Sequence, residues 1–204
     1  MPTWSPRLVT SAEAATLADL AGAKYDLETA IGFCSKLEAV ELRSPDALVL
    51  IDALSTAITV RYARCFTTGV RSKLDADVVN ALPSNLRPLH EFLLLIRDKY
   101  VAHSVNALEE NHVTVHVRDS PDSPAIGGIG TLQARVLALS GESAPQVREL
   151  CQAVEAAVEA LMAEQRDIVK RQLDSTPIEE IYKLSEPEAY MPELQKIHLP
   201  RGRR

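Results

Sequence analysis

The residues in this chain that are best suited to chemistry lie in the segment RDKYVAH, residues 97–103. Arg97 keeps its positive charge and presents a planar set of donors that fits the oxygens of a phosphate. His103 can gain or lose a proton near neutral pH, so it can act as a general base or a general acid. Asp98 directly follows Arg97 and can orient a guanidinium. These residue types suit cleavage of a phosphodiester without a metal.

One amphipathic helix must position these side chains. It is expected to begin near Asn85, with Pro88 in its first turn, where proline is tolerated, and to run to about Leu108. On an α-helical wheel, Arg97 and His103 lie about 9 Å apart along the axis and about 120° around it. They are therefore too far apart to touch. We expect a bound phosphodiester, or a second copy of the helix across a two-fold axis, to bring such groups together.

Five further residues are candidates for contacts with RNA or phosphate. Arg61 and Arg64 interrupt a second apolar helix, where a charge is unusual. Lys99 lies one turn from His103 and would lower its pKa. Tyr100 and Ser104 share the face of Arg97. The C-terminal RGRR could also attract RNA, although basic ends are commonly just solvated.

Each of these candidates has a purely structural alternative. His103 lies on the apolar line of its helix and could be a core or interface histidine. Arg97 could form an ordinary surface salt bridge with Asp98 or Glu91, and Arg61 a buried pair with an acid. His90 is expected at the surface or as a helix cap.

No metal or other cofactor is expected. His112 and His116 would lie about 13 Å apart on a strand, too far to share one metal ion. The three cysteines are odd in number and widely spaced, which indicates reduced, buried thiols: Cys34, Cys65 and Cys151.

Composition and charge narrow the class of protein. The chain has 204 residues, of which 46% are hydrophobic and only 4% aromatic, which favours helix packing over a β-sandwich. A net charge of −6 argues against a broad, non-specific nucleic-acid binder, but it leaves room for a small basic cleft. The N-terminus lacks the layout of a signal peptide, and no apolar run is long enough to span a membrane. We therefore expect a cytoplasmic protein.

The hydrophobic spacing predicts a mainly α protein, a bundle of four to five helices with an inserted β-hairpin. The hairpin is expected at about residues 112–139, with strands at 112–118 and 131–139 and with GGIG in the loop between them. Because two strands alone are marginally stable, we expect the hairpin to lie on helices. Residues 1–176 would form one domain and residues 177–204 a proline-containing tail. The helices are predicted at 11–41, from Pro45 to Gly69, at 75–82, at 85–108 and at 143–173.

The segment RDKYVAH resembles the R-x(4–6)-H signature of the HEPN superfamily, in which a polar residue often follows the arginine. The apolar helix before it and the small residue before His103 extend the resemblance, and the family-like layout covers roughly residues 45–175. The longer run RDKYVAHSVNALEEN is also similar to helical proteins of abortive infection and phage defence. The resemblance implies a HEPN-like bundle that works as a homodimer, with Arg97 and His103 as the catalytic pair and Asp98 as their polar support.

The function that follows from this resemblance is a metal-independent endoribonuclease acting on RNA, of the kind used as a toxin or phage-defence effector. A neutralising antitoxin or a nucleotidyltransferase would then be its protein partner. Two alternatives remain open. One is a non-catalytic HEPN-like module that binds a nucleotide or a protein, and the other is a purely structural helical dimer.

Overall fold

The computed structural model describes residues 4–69, 71–101, 109–120, 123–135 and 138–187. The chain is mainly helical, with 59% helix and one small antiparallel hairpin, which confirms the predicted fold class at that level. Within the described ranges, no helix combines the length and the apolar character that crossing a membrane requires. The helices are α1 (Ala12–Glu38), α2 (Ala47–Ala63), α3 (Ala76–Asn80), α4 (Arg87–Ile96), α5 (Ala144–Asp174) and α6 (Ile178–Lys183), and the strands are β1 (Glu109–Val117) and β2 (Ile126–Arg135).

The core is built around the two longest helices, α1 and α5, with α2 packed against α1. Ser11 begins α1, and its hydroxyl accepts a hydrogen bond from the N–H of Ala14. Buried side chains recur on both long helices at three- and four-residue steps, so each helix presents one apolar face to the other. All three cysteines are buried and free, as the sequence predicted. The buried faces include Ala23, Leu27, Ala30, Cys34 and Leu37 of α1, and Val147, Leu150, Cys151, Val154 and Val158 of α5.

Helix α4 packs against α2. Tyr62, near the end of α2, contacts His90, near the start of α4. The turn that follows α4 also packs against α2. The chain directly after Ile96 therefore stays beside α2. This arrangement sets the position of Arg97.

The hairpin forms, but its second strand begins at Ile126 rather than at residue 131. GGIG therefore lies inside β2 and not in a loop, which corrects the sequence prediction. The cross-strand neighbours explain why glycine is placed there. A Cβ on Gly130 would lie 2.9 Å from Nε2 of His116 and 3.1 Å from the hydroxyl of Thr114, so the absent side chain makes room for theirs.

The expectation that the hairpin lies on helices is wrong for the residues that the structure describes. The main contacts of β1 and β2 are with each other. Val113, Val115 and Val117 alternate on β1 as predicted, but all three are exposed, and Ile126 and Ile129 of β2 are exposed as well. The alternation identified the strand correctly without indicating what it packs against.

The segment predicted as a tail begins with an ordered turn of helix. Residues 178–183 form α6. The chain after α6 returns to the N-terminal segment, where the N–H of Leu8 donates to the carbonyl of Ser185 and Arg7 lies 3.3 Å from Glu186. Residues 188–204 lie outside the described residues, and the domain boundary near residue 176 stays a prediction.

Candidate functional site

Helix α4 carries Arg97 to the protein surface. Leu93 and Ile96 face the core, and Tyr100 is buried one turn later. Arg97 and Asp98 lie on the outer side, with 40% and 58% of their side chains exposed. Nη1 of Arg97 donates to Oδ1 of Asp98 at 2.6 Å, so the two residues form the pair that the sequence suggested. At this exposure the ion pair orients the guanidinium more than it stabilises the fold.

The helix changes its geometry at this point. Residues Arg97–Val101 form a π-helical turn, in which each turn holds an additional residue. The wheel that separated Arg97 and His103 by about 120° assumed α-helical geometry throughout, and it therefore does not apply across this turn. Short π-helical turns inside α-helices occur frequently at functional sites.

Of the other residues predicted beside Arg97, the structure describes Lys99 and Tyr100. Lys99 is exposed next to Asp98. Tyr100 is buried, with 9% of its surface exposed, so its position does not support the expected contact between its ring and RNA. His103 and Ser104 lie outside the described residues, and the roles predicted for them stay predictions.

Arg61 and Arg64 lie at a second location, in a group that we call the Asp26 cluster: Asp26, Arg61, Arg64 and Arg71. Asp26 of α1 is 1% exposed, and its Oδ1 accepts from Nη1 of Arg61 at 2.6 Å. Its Oδ2 accepts from Nη2 of Arg71 at 2.5 Å and lies 3.5 Å from Nε of Arg64. Arg61 thus forms a pair with a buried acid, which the sequence had offered as the structural alternative to a contact with RNA or phosphate. Among the described residues, no hydrogen bond or ion pair joins this cluster to Arg97.

The arginines keep Asp26 charged inside the protein. Burial alone would raise the pKa of this carboxyl, but hydrogen bonds from Arg71 and Arg61 and the charge of Arg64 outweigh that effect and hold the pKa below its usual value. Gly22, one turn before Asp26, makes the arrangement possible. A Cβ at position 22 would lie 2.5 Å from Nη1 of Arg71.

A buried aromatic group lies between α2 and α4. The hydroxyl of Tyr62 is 2.7 Å from Nδ1 of His90, and the ring of Phe66 packs edge-on to the imidazole, with centroids 4.6 Å apart. His90 is therefore a core residue, which corrects the expectation of a surface or capping position. Burial lowers the pKa of His90 and raises that of Tyr62, so a neutral phenol and a neutral imidazole share this hydrogen bond.

Sequence reasoning missed Asp26, Arg71 and His90 as members of these groups. For two of them the spacing held a usable signal. Asp26 falls on the line of buried residues between Ala23 and Ala30 of α1, and His90 falls between Leu86 and Leu93. A polar residue at a position that the helical period assigns to the core needs a partner, and that is the reason to look for one. Arg71 gave no such signal, because it lies in a loop.

The described residues contain no group of three or more histidine, cysteine or acidic side chains that could hold a metal ion. Compared with protein-family models, with curated proteins and with solved structures, the chain matches none of them.

Proposed function

We propose that this protein is a metal-independent endoribonuclease of the HEPN type, acting at Arg97 and His103. The observation that carries the proposal is the π-helical turn at Arg97–Val101, where a helix with a buried face presents Arg97 and Asp98 to solvent. A change of helical geometry at the residues that the sequence singled out is independent support for their role, because neither their types nor their spacing requires it.

The chemistry divides between the two residues. Arg97, oriented by Asp98, would bind the non-bridging oxygens of the scissile phosphate and stabilise the charge that develops there. His103 would move a proton at the same bond. The 2′-hydroxyl loses its proton and attacks phosphorus, the bond from phosphorus to the 5′-oxygen breaks, and that oxygen takes up a proton. The products carry a 2′,3′-cyclic phosphate and a 5′-hydroxyl.

Cleavage of total cellular RNA by the purified full chain, in buffer containing EDTA, tests the proposal. New 5′-hydroxyl ends can be labelled directly by a polynucleotide kinase, which identifies the chemistry as well as the cut. We expect Arg97→Ala and His103→Ala each to lower the cleavage rate by about 10²-fold or more. Arg171→Ala, a change at an exposed arginine of α5, is the matched control and should cleave like the parent.

A parent protein that leaves RNA intact would contradict the proposal, as would activity that is lost in EDTA and restored by one divalent metal. An inert parent would leave the binding module as the better candidate. The arginines around Asp26 favour that alternative, since a basic group of this kind can bind an anion without cleaving it.

A further inference from the structure

The Asp26 cluster holds more positive charge than its acid can balance. Three guanidiniums surround one carboxylate, which leaves two positive charges in excess in a chain whose net charge is −6. Burying a carboxylate requires partners for its two oxygens, and Arg61 and Arg71 already supply them at 2.6 and 2.5 Å. Satisfying Asp26 therefore does not explain the third arginine.

Arg64 is that third arginine. Its Nε lies 3.5 Å from Oδ2 of Asp26, beyond the range of a good hydrogen bond, and half of its side chain is exposed. Arg61 and Arg71 are 30% and 19% exposed. A guanidinium has five N–H donors. In the described part of the chain each of these arginines contacts Asp26 through only one nitrogen, and Arg64, the most exposed of the three, has the donors that an anion can reach most easily.

Asp26 also fixes Arg61 and Arg71 before any ligand arrives. A buried carboxylate on a helix fixes the ends of side chains that would otherwise sample many rotamers, so less freedom is lost when a ligand binds. The space above Gly22 admits Arg71 to the cluster. Planar guanidiniums held in this way match the oxygens of a phosphate, which can accept several charge-assisted hydrogen bonds at once.

An exposed aromatic ring borders the cluster. Cζ of Arg61 lies 5.8 Å from the centroid of the Tyr25 ring, and Tyr25 is mostly exposed. Nucleic-acid bases stack on such rings and on guanidinium planes. A phosphate at Arg64 would thus have a stacking surface beside it. This combination favours a nucleotide over a simple inorganic anion.

We infer that the Asp26 cluster is a nucleotide-phosphate site, separate from Arg97, in which Arg64 binds the phosphate and Tyr25 stacks on the base. The same chemistry is presented by a free mononucleotide and by an RNA strand. If the cluster serves as a second binding site for the RNA substrate, that role rests on the proposed function. Binding of a mononucleotide does not depend on the proposed function.

Titration calorimetry on the full chain, with AMP, adenosine, inorganic phosphate and a short 2′-O-methyl oligoribonucleotide as probes, tests this inference. AMP should bind and adenosine should bind at least about tenfold more weakly, because it lacks the phosphate. Arg64→Gln should weaken AMP binding by about tenfold, the effect of one charge-assisted hydrogen bond. Arg171→Gln is the matched control, and it should bind AMP like the parent. Tyr25→Ala should weaken AMP but leave inorganic phosphate unchanged.

Melting curves of each variant accompany the titrations, because Arg64 contacts a buried carboxylate. Arg64→Lys, which keeps the charge but loses the planar fork, replaces Arg64→Gln if that variant melts early, and it should also weaken AMP. Equal AMP affinity in the parent and in a folded Arg64 variant would overturn the inference, and so would no binding at millimolar AMP.

The same titrations also distinguish a free mononucleotide from an RNA strand as the ligand, and this inference from the proposed function. An oligoribonucleotide that binds far more tightly than AMP, and that loses affinity in the Arg64 variant, identifies an RNA strand as the ligand of this cluster, and equal affinities identify a mononucleotide. If the parent leaves RNA uncut but binds AMP through Arg64, the proposed function fails and this site stands. If the parent cleaves RNA but the Arg64 variants bind AMP normally, the proposed function stands and this site fails.

Discussion

The hydroxyl of Tyr62 lies 2.7 Å from Nδ1 of His90 inside the core, and this hydrogen bond joins the end of α2 to the start of α4. Both groups are neutral, because burial raises the pKa of the phenol and lowers that of the imidazole. Helix α4 leads directly into the turn that carries Arg97. The bond therefore helps to fix the candidate site from about 10 Å away, at 1.5 Å of rise per residue.

Replacing Tyr62 by phenylalanine should destabilise the protein by about 1–2 kcal/mol, because it leaves Nδ1 of His90 buried without a hydrogen-bond partner. Thermal or urea unfolding measures the effect. Tyr182→Phe removes an exposed hydroxyl from α6 and should change the free energy of unfolding by less than about 0.5 kcal/mol. Equal effects of the two changes would show that the bond contributes nothing to stability.

The stability of the protein should decrease as the pH falls below about 6.5, partly because of His90. Its pKa is lower in the folded protein than its ordinary value of 6.5, so the unfolded chain takes up more protons in this range. The contribution is complete above the unfolded pKa and is lost as the pH falls toward the folded pKa. Urea unfolding between about pH 5 and pH 8 should show a steeper decline for the parent than for His90→Gln. Parallel curves would contradict this assignment.

The effects of changing Arg97 and His103 should not add. If one residue binds the phosphate while the other moves a proton at the same bond, either alanine variant removes nearly all cleavage, and the double variant is little worse than either single one. Rates on one defined RNA substrate check this. Multiplicative losses would indicate two independent roles.

The fold of these variants is the control. Arg97 is partly exposed and pairs with an exposed acid, so the free energy of unfolding of Arg97→Ala should lie within about 1 kcal/mol of that of the parent. A strongly destabilised His103→Ala, combined with a parent that does not cleave RNA, would favour the interpretation of His103 as a core or interface residue.

We expect a homodimer with the helix that carries Arg97 at or beside the two-fold axis. Phe92 and Leu95 of α4 are exposed apolar residues just before Arg97, and covering them would place two copies of the turn near each other. Leu95→Glu should therefore dissociate the dimer at tens of micromolar, as measured by light scattering. Ile178→Glu, at an exposed position of α6, should leave it intact. A monomeric parent at this concentration would contradict the expectation.

The helices were predictable because each long one repeats its buried residues at helical spacing. α1 and α5 fall within three residues of their predicted limits, whereas α2 begins as predicted but ends at Ala63, six residues before Gly69. The position of β2 was not predictable in the same way, because Gly127, Gly128 and Gly130 indicate a loop. The place of Gly130 inside a strand depends on the side chains of His116 and Thr114 in the neighbouring strand, and local sequence does not indicate such neighbours.

The site was predictable in its residue types but not in its geometry. The sequence identified Arg97 and Asp98 as neighbours at the end of an apolar helix, but helical period alone gives no indication of a π-helical turn. It also identified Arg61 as a charge on an apolar face. Its partner Asp26 lies 35 residues away in the chain, and the packing of α1 against α2 brings the two together.

Gly22 limits how far α1 can be stabilised. Glycine within a helix costs about 1 kcal/mol relative to alanine, and α1 contains two glycines. A methyl group at Gly32 would meet nothing within 4 Å, so alanine there strengthens the helix freely. The same change at Gly22 would displace the guanidinium of Arg71 and disturb the surroundings of a buried charge. Alanine at Gly32 should therefore stabilise α1, whereas alanine at Gly22 should disturb the Asp26 cluster. The helix retains glycine at position 22, where the guanidinium of Arg71 occupies the space of a Cβ.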